Sequence, residues 1–137
     1  MDDVISRFRA VTEAADVDGL MGLLDPAAEL FSPIFGSFVI RGERDIRTLF
    51  DAVYGSIKGL TWVDQVSDDR VALLRGEARI GPTRLDDAMV LELGPEGRIR
   101  TIRPHFRPLL GSIVFALIVG AKLLRHPGLF LRAARKP

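Results

Sequence analysis

Between residues 46 and 106 the apolar period changes once, and that change limits the chain to a small set of folds. Ile46, Leu49, Phe50, Val53, Tyr54 and Ile57 fall at i, i+3, i+4, i+7, i+8 and i+11. That spacing lays one unbroken apolar stripe along a helix. From Leu60 the period becomes two. The pattern predicts a strand over 60–67, a turn at Asp68-Asp69 and a long strand over 71–80. In the long strand Ala72, Leu74, Gly76, Ala78 and Ile80 share one face, while Arg75, Glu77 and Arg79 share the other. Turns at 81–83 and 94–97 bound a strand over 84–93, and a last strand follows over 98–106.

The residues before this region read as helix, helix and two short strands. Val4, Ile5, Phe8, Val11 and Ala15 predict a helix over 3–15. Asp18 is placed to cap a second, short helix that Asp25-Pro26 ends. Short strands over 28–31 and 38–40 flank a bend at 33–36. Consecutive strands with short turns, preceded by helices able to cover one face, predict an α+β fold with a mostly antiparallel sheet.

With 137 residues the chain is long enough for one domain with a sizeable core. Cysteine is absent, which removes disulfides, thiolate nucleophiles and cysteine-ligated metals. His105 and His126 are the only histidines and no carboxylate lies between them. No metal site and no cofactor are expected from that ligand inventory. Asn is absent and Gln65 is the only Gln, so side-chain amides are scarce for an oxyanion hole. The acidic, amphipathic start MDDVISRFRA does not have the form of a secretory signal, and a cytoplasmic location is the expectation.

Charge is divided unevenly. Residues 97–137 carry nine Lys or Arg and no Asp or Glu, against ten basic and 18 acidic residues before them. This tail opens with 13 uncharged residues, 109–121, and a second short helix can start at Pro127. As a helix, 13 residues reach about 20 Å, short of the roughly 30 Å of a bilayer core. Two readings stand open: a lid packed across an apolar pocket or on a second subunit, and a segment lying on an anionic membrane surface. Nucleic acid is not expected, because the basic residues alternate with aliphatics and no aromatic platform accompanies them.

Two stretches carry a family likeness. LDPAAELFSPIFGSFVIRGERDIRTLF (24–50) and LDDAMVLELGPEGRIRTIRPHFRP (85–108) resemble the nuclear transport factor 2-like superfamily and, within it, the SnoaL-like, polyketide cyclase-like group. The resemblance covers residues 1–108 and leaves 109–137 as a C-terminal helical extension. It implies a cone-shaped α+β domain: a curved sheet around a long helix, with a deep apolar pocket at the wide end. It also implies a homodimer formed through the outer face of the sheet. Related enzymes place an acidic residue at the position of Met89, an Arg at that of Asp87 and an Asp at that of Pro104, so this chain departs from their catalytic set.

The residues themselves offer three candidates for chemistry. Asp87 is the one charge among Leu85, Asp87, Met89, Leu91 and Leu93 on a strand face. A carboxylate on an inward apolar face has a raised pKa and suits a general base. His105 can exchange a proton with it, although alternation with Arg103 and Arg107 points its ring outward. Tyr54 is the only tyrosine and lies on the apolar stripe, where its hydroxyl can orient a carbonyl. Met89, Phe31, Phe35, Phe50, Trp62 and Phe106 are the candidate pocket walls. The expected function is binding of a small hydrophobic ligand, with cofactor-independent isomerase or cyclase chemistry if the site is catalytic. A lipid-surface module and a non-catalytic dimerisation domain are the alternatives.

Overall fold

A computed structural model describes residues 2–135. The chain forms α1 (Asp2–Glu13), α2 (Val17–Met21), β1 (Leu24–Phe31), β2 (Val39–Arg41) and α3 (Glu43–Tyr54). It continues through β3 (Ile57–Ser67), β4 (Val71–Ile80), β5 (Thr83–Leu93), β6 (Ile99–Arg103) and β7 (Phe106–Arg107) to α4 (Leu109–Leu123) and α5 (Pro127–Ala134). The strands form one sheet in the order β2-β1-β6-β5-β4-β3, with β7 paired to β5. All pairings are antiparallel except β1 with β6. The fold is therefore α+β with a mixed, mostly antiparallel curved sheet.

Alternation decides which side of the sheet is dry. In β4 the inward Ala72, Leu74, Gly76, Ala78 and Ile80 are covered, and Leu73, Arg75 and Arg79 are exposed. The outer face carries a ladder of ion pairs: Arg75 to Asp64 at 2.6 Å, and Arg84 to Glu77 at 2.9 Å and Asp86 at 3.0 Å. These groups are solvated, so the ladder marks the wet face more than it stabilises it. Register shifts in the β3–β4 and β1–β6 pairs bend the strands. Gly76 is required where β4 passes under Trp62, since a Cβ there would lie 2.7 Å from the indole ring.

Three local details depart from the sequence pattern. The cap of α2 is Asp16, whose carboxylate accepts from the Gly19 N–H at 2.9 Å; Asp18 instead pairs with Arg47 at 2.7 Å. Ile57 belongs to β3, because α3 ends at Tyr54 and the chain turns at Gly55 and Ser56. The final strand is split. Pro104 has no N–H to give to the ladder, so β6 ends at Arg103 and pairing with β5 resumes through His105 and Phe106.

The tail packs on the body. Gly111, Phe115, Val119 and Leu123 of α4 face inward and are buried, as are Leu129 and Ala133 of α5. Those apolar side chains join the same core as Ile5, Phe8, Leu49 and Leu91. Gly111 lies so close to the Arg84 carbonyl that no side chain fits between them. The axes of α4 and α5 meet at 115°, and neither helix is long and apolar enough to cross a membrane alone.

Candidate functional site

The inward faces of β5 and α3 and the undersides of α4 and α5 enclose an apolar cavity of about 140 Å³. β5 supplies Leu85, Asp87 and Met89, at the two-residue spacing of one strand face. The stripe of α3 supplies Leu49, Phe50, Val53 and Tyr54. The roof is Phe115, Val119 and Leu123 from α4 with Leu129 and Phe130 from α5. Phe106 of β7 meets Phe115 edge-on at 4.6 Å and ties the roof to the sheet.

Among the described residues Asp87 is the one charged residue in this wall. Its register opposite Gly76 on one side and Phe106 on the other fixes its direction. Burial pushes its carboxyl from the ordinary 3.8 up to about 7, against a weaker opposing hydrogen bond that Oδ1 accepts from the His105 backbone N–H at 3.2 Å. Tyr54 shares the wall and stacks obliquely on Phe50 at 5.8 Å. Burial, and secondarily the negative charge of Asp87, raise its phenol well above the usual value. The hydroxyl therefore stays protonated and is a hydrogen-bond donor throughout the neutral range.

The structure brings Asp87, Tyr54, Met89, Phe50, Trp62 and Phe106 to one cavity. Phe35 stands at its rim, exposed and 5.3 Å from Phe38. Trp62 contributes ring surface only. Its indole N–H is already committed to Thr12 Oγ1 at 2.8 Å.

Two sequence candidates lie elsewhere. The ring of His105 is exposed, with Nδ1 3.2 Å from the Ala88 carbonyl, so the residue reaches Asp87 through its backbone and not through its imidazole. Phe31 is no part of the wall: alternation in β1 sends Leu30 inward and Phe31 outward, where the Arg103 guanidinium sits 3.8 Å from its ring centre.

The roof residues carry no signal of their own beyond an uncharged run, and neither does the contact that holds α5 down. Arg132 donates from Nε and Nη2 to both oxygens of Asp45, at 2.7 and 2.8 Å, across 87 residues of sequence. That fork holds the Asp45 carboxyl below the usual carboxylate range. Among the described residues no three His, Asp or Glu side chains converge as metal ligands do.

Architecture settles the fold class. A bacterial protein with a cystatin-like fold from Silicibacter pomeroyi superposes with a TM-score of 0.85 at 15% identity, covering 95% of this chain and 91% of that one. A steroid delta-isomerase from Pseudomonas aeruginosa gives 0.82 at 21% identity, covering 93% of each. The epoxide hydrolase/cyclase-like enzyme SalBIII, which has a role in pyran ring formation in the polyether salinomycin, gives 0.66 at 17% identity over 80% of this chain and 92% of that one. This is the NTF2-like fold. No family model and no curated protein matches the sequence. Among NTF2-like neighbours of such low identity the shared property is the architecture, and the chemistry has to be argued from the cavity.

Proposed function

We propose that this protein binds a compact apolar molecule in the cavity and moves a proton on it, with Asp87 as the base and Tyr54 as the hydrogen-bond donor. One observation carries the reading: a lone carboxylate, its pKa raised by burial, set in a wall that is otherwise apolar. A carboxylate of that basicity can take a proton from a carbon next to a carbonyl and return it to another carbon of the same molecule. Tyr54, protonated, can donate to the oxygen that gains charge in the enolate. No cofactor enters this scheme. The fold neighbours that act as an isomerase and as a cyclase-like enzyme support the class of reaction.

Volume sets the ligand class. A cavity of about 150 Å³ in another protein admits benzene, and the present one is of that size. A single ring fits as the structure stands.

The test combines turnover with titration. A monocyclic β,γ-unsaturated ketone is the probe, and its conversion to the conjugated isomer is followed by absorbance. Asp87→Asn should lower turnover by at least about 10²-fold while leaving probe binding in place. The same variant tests the burial of the charge. With its folded pKa above the unfolded one, Asp87 costs stability increasingly as pH rises from about 4 to about 7. Asp87→Asn should therefore match wild type in acid and exceed it above about pH 7, by up to about 4 kcal/mol. A carboxyl NMR midpoint at or below the ordinary value, or turnover unchanged in Asp87→Asn, refutes the assignment.

A further inference from the structure

The outer face of α4 is as apolar as the inner one. Leu110, Ile113, Leu117 and Leu124 are 60, 47, 69 and 72% exposed, and the small Ala121 between the last two is exposed as well. Their spacing of three, four, four and three residues places them in one line, opposite the buried Gly111, Phe115, Val119 and Leu123. A line of large aliphatics without a covering element marks a contact surface.

Charge says what kind. Arg107 precedes the stripe and Arg125 follows it, while Lys122 lies on the body side of α4 with Nζ beside Gly55; all three are exposed. Among the described residues none of the three takes part in an ion pair. No acidic residue follows Glu96 in the sequence. A second copy fits this pattern poorly, because antiparallel pairing of two such stripes sets the Arg107 end of one against the Arg125 end of the other. An anionic bilayer offers apolar depth for the leucines and negative headgroups for both cationic ends.

We propose that α4 docks this protein on anionic membrane, lying in the headgroup plane with Leu110, Ile113, Leu117 and Leu124 inserted and Arg107 and Arg125 on the phosphates. The helix is about 22 Å long, which suits a position along the surface. Burial of Leu129 and Ala133, together with the Asp45–Arg132 fork, keeps α5 on the body at 115° to α4, so the pair is not a straight span. The surface is independent of Asp87 and of any chemistry in the cavity.

Vesicle co-sedimentation tests it, with phosphatidylcholine alone against equal parts phosphatidylcholine and phosphatidylglycerol, at low and moderate salt. Binding should favour the anionic vesicles and weaken with salt. Replacing Arg107→Gln or Arg125→Gln should each weaken it roughly fivefold, and Leu117→Asp, at an exposed site, should remove it with the thermal midpoint unchanged. The absence of cysteine permits an independent reading that keeps the stripe largely intact. A polarity-sensitive dye on Leu117→Cys should shift to the blue with anionic vesicles, and the same dye on Val66→Cys, on the opposite side of the molecule's sheet, should not. Wild-type indifference to both vesicle types, equal shifts at both dye positions, or a concentration-dependent dimer that Leu117→Asp abolishes would each overturn the proposal.

Discussion

Two helices flank the same core, and they are held in different ways. α1 is fastened by directional bonds. Trp62 donates its indole N–H to Thr12 Oγ1 at 2.8 Å, and Thr12 in turn donates to the Phe8 carbonyl at 2.7 Å. Arg9 reaches the Trp62 carbonyl and Gln65, both at 3.1 Å, and Glu13 accepts the Trp62 backbone N–H at 2.8 Å. α4 has no such tie among the described residues. Its one side-chain hydrogen bond, from Ser112 to the Pro108 carbonyl, begins and ends at its own N-terminus. It rests on Phe115, Val119 and Leu123, and the fork at Asp45 secures only the helix after it. Hydrogen bonds fix a register, whereas apolar area is indifferent to small shifts along it. α1 is accordingly a wall pinned by hydrogen bonds, and α4 a roof held by side-chain packing.

The strongest way to break this contrast is to remove the roof. Deleting residues 109–137 uncovers the cavity and the seats of Phe115, Val119, Leu123 and Leu129. Each such side chain is worth about 1.5–3 kcal/mol of burial, so the loss should exceed about 5 kcal/mol, comparable with the whole stability of an ordinary domain. The truncated protein should aggregate or melt below room temperature. Soluble material with an unchanged thermal midpoint would show that the roof carries no weight.

A smaller and more local effect belongs to α1. Thr12→Val leaves the Trp62 N–H buried without an acceptor, at a cost of about 1–3 kcal/mol. Hydrogen exchange should then rise in α1 and in the neighbouring part of β3, while α4 stays as it was. Equal loosening of both helices would mean that they are one cooperative unit and that the contrast is false.

The smallest effect is the fork. Arg132 is half exposed, so Asp45→Asn should cost only about 1 kcal/mol. Its sign with pH is definite. The Asp45 carboxyl is held below its usual range in the folded protein, so the contribution is complete above the unfolded pKa of about 4 and disappears as pH falls through the depressed value. Exchange in α5 should be faster in Asp45→Asn than in wild type at neutral pH, and the two should converge in strong acid. A difference that persists there would assign the effect to packing in place of charge.

Period was the readable part of this chain. Alternation through Ala72, Leu74 and Ala78 and the stripe from Ile46 to Tyr54 gave the sheet, the long helix and their facing surfaces, because burial of one face imposes that order on a sequence. The same rule put Asp87 on the inward side of β5. Residue type alone placed Phe31 in the wall, and alternation overrides it: its neighbour Leu30 takes the inward position. His105 shows a limit: alternation pointed the ring outward, and only the fold shows its backbone N–H on the Asp87 carboxylate. The fork from Arg132 to Asp45 was invisible, since nothing in a charge 87 residues away marks its partner. The roof was readable as an apolar segment and, in one of two readings, as a lid across the pocket; which of its faces is covered was not, because a helix apolar on both faces has no periodic signal to say so.

The order of elements along the chain has a consequence for how the molecule is made. The sheet, α1 and α3 leave the ribosome before α4 and α5 do, so a bowl of aliphatic and aromatic side chains exists for a time without its cover. During that interval the growing chain presents a sticky mouth to the cell's other polypeptides, a state in which aggregation competes with folding. Slow translation across residues 109–131 would lengthen the interval, and a chaperone able to occupy the bowl would shorten its danger. The synthesis schedule of this protein is thereby coupled to the same side chains that later enclose its ligand.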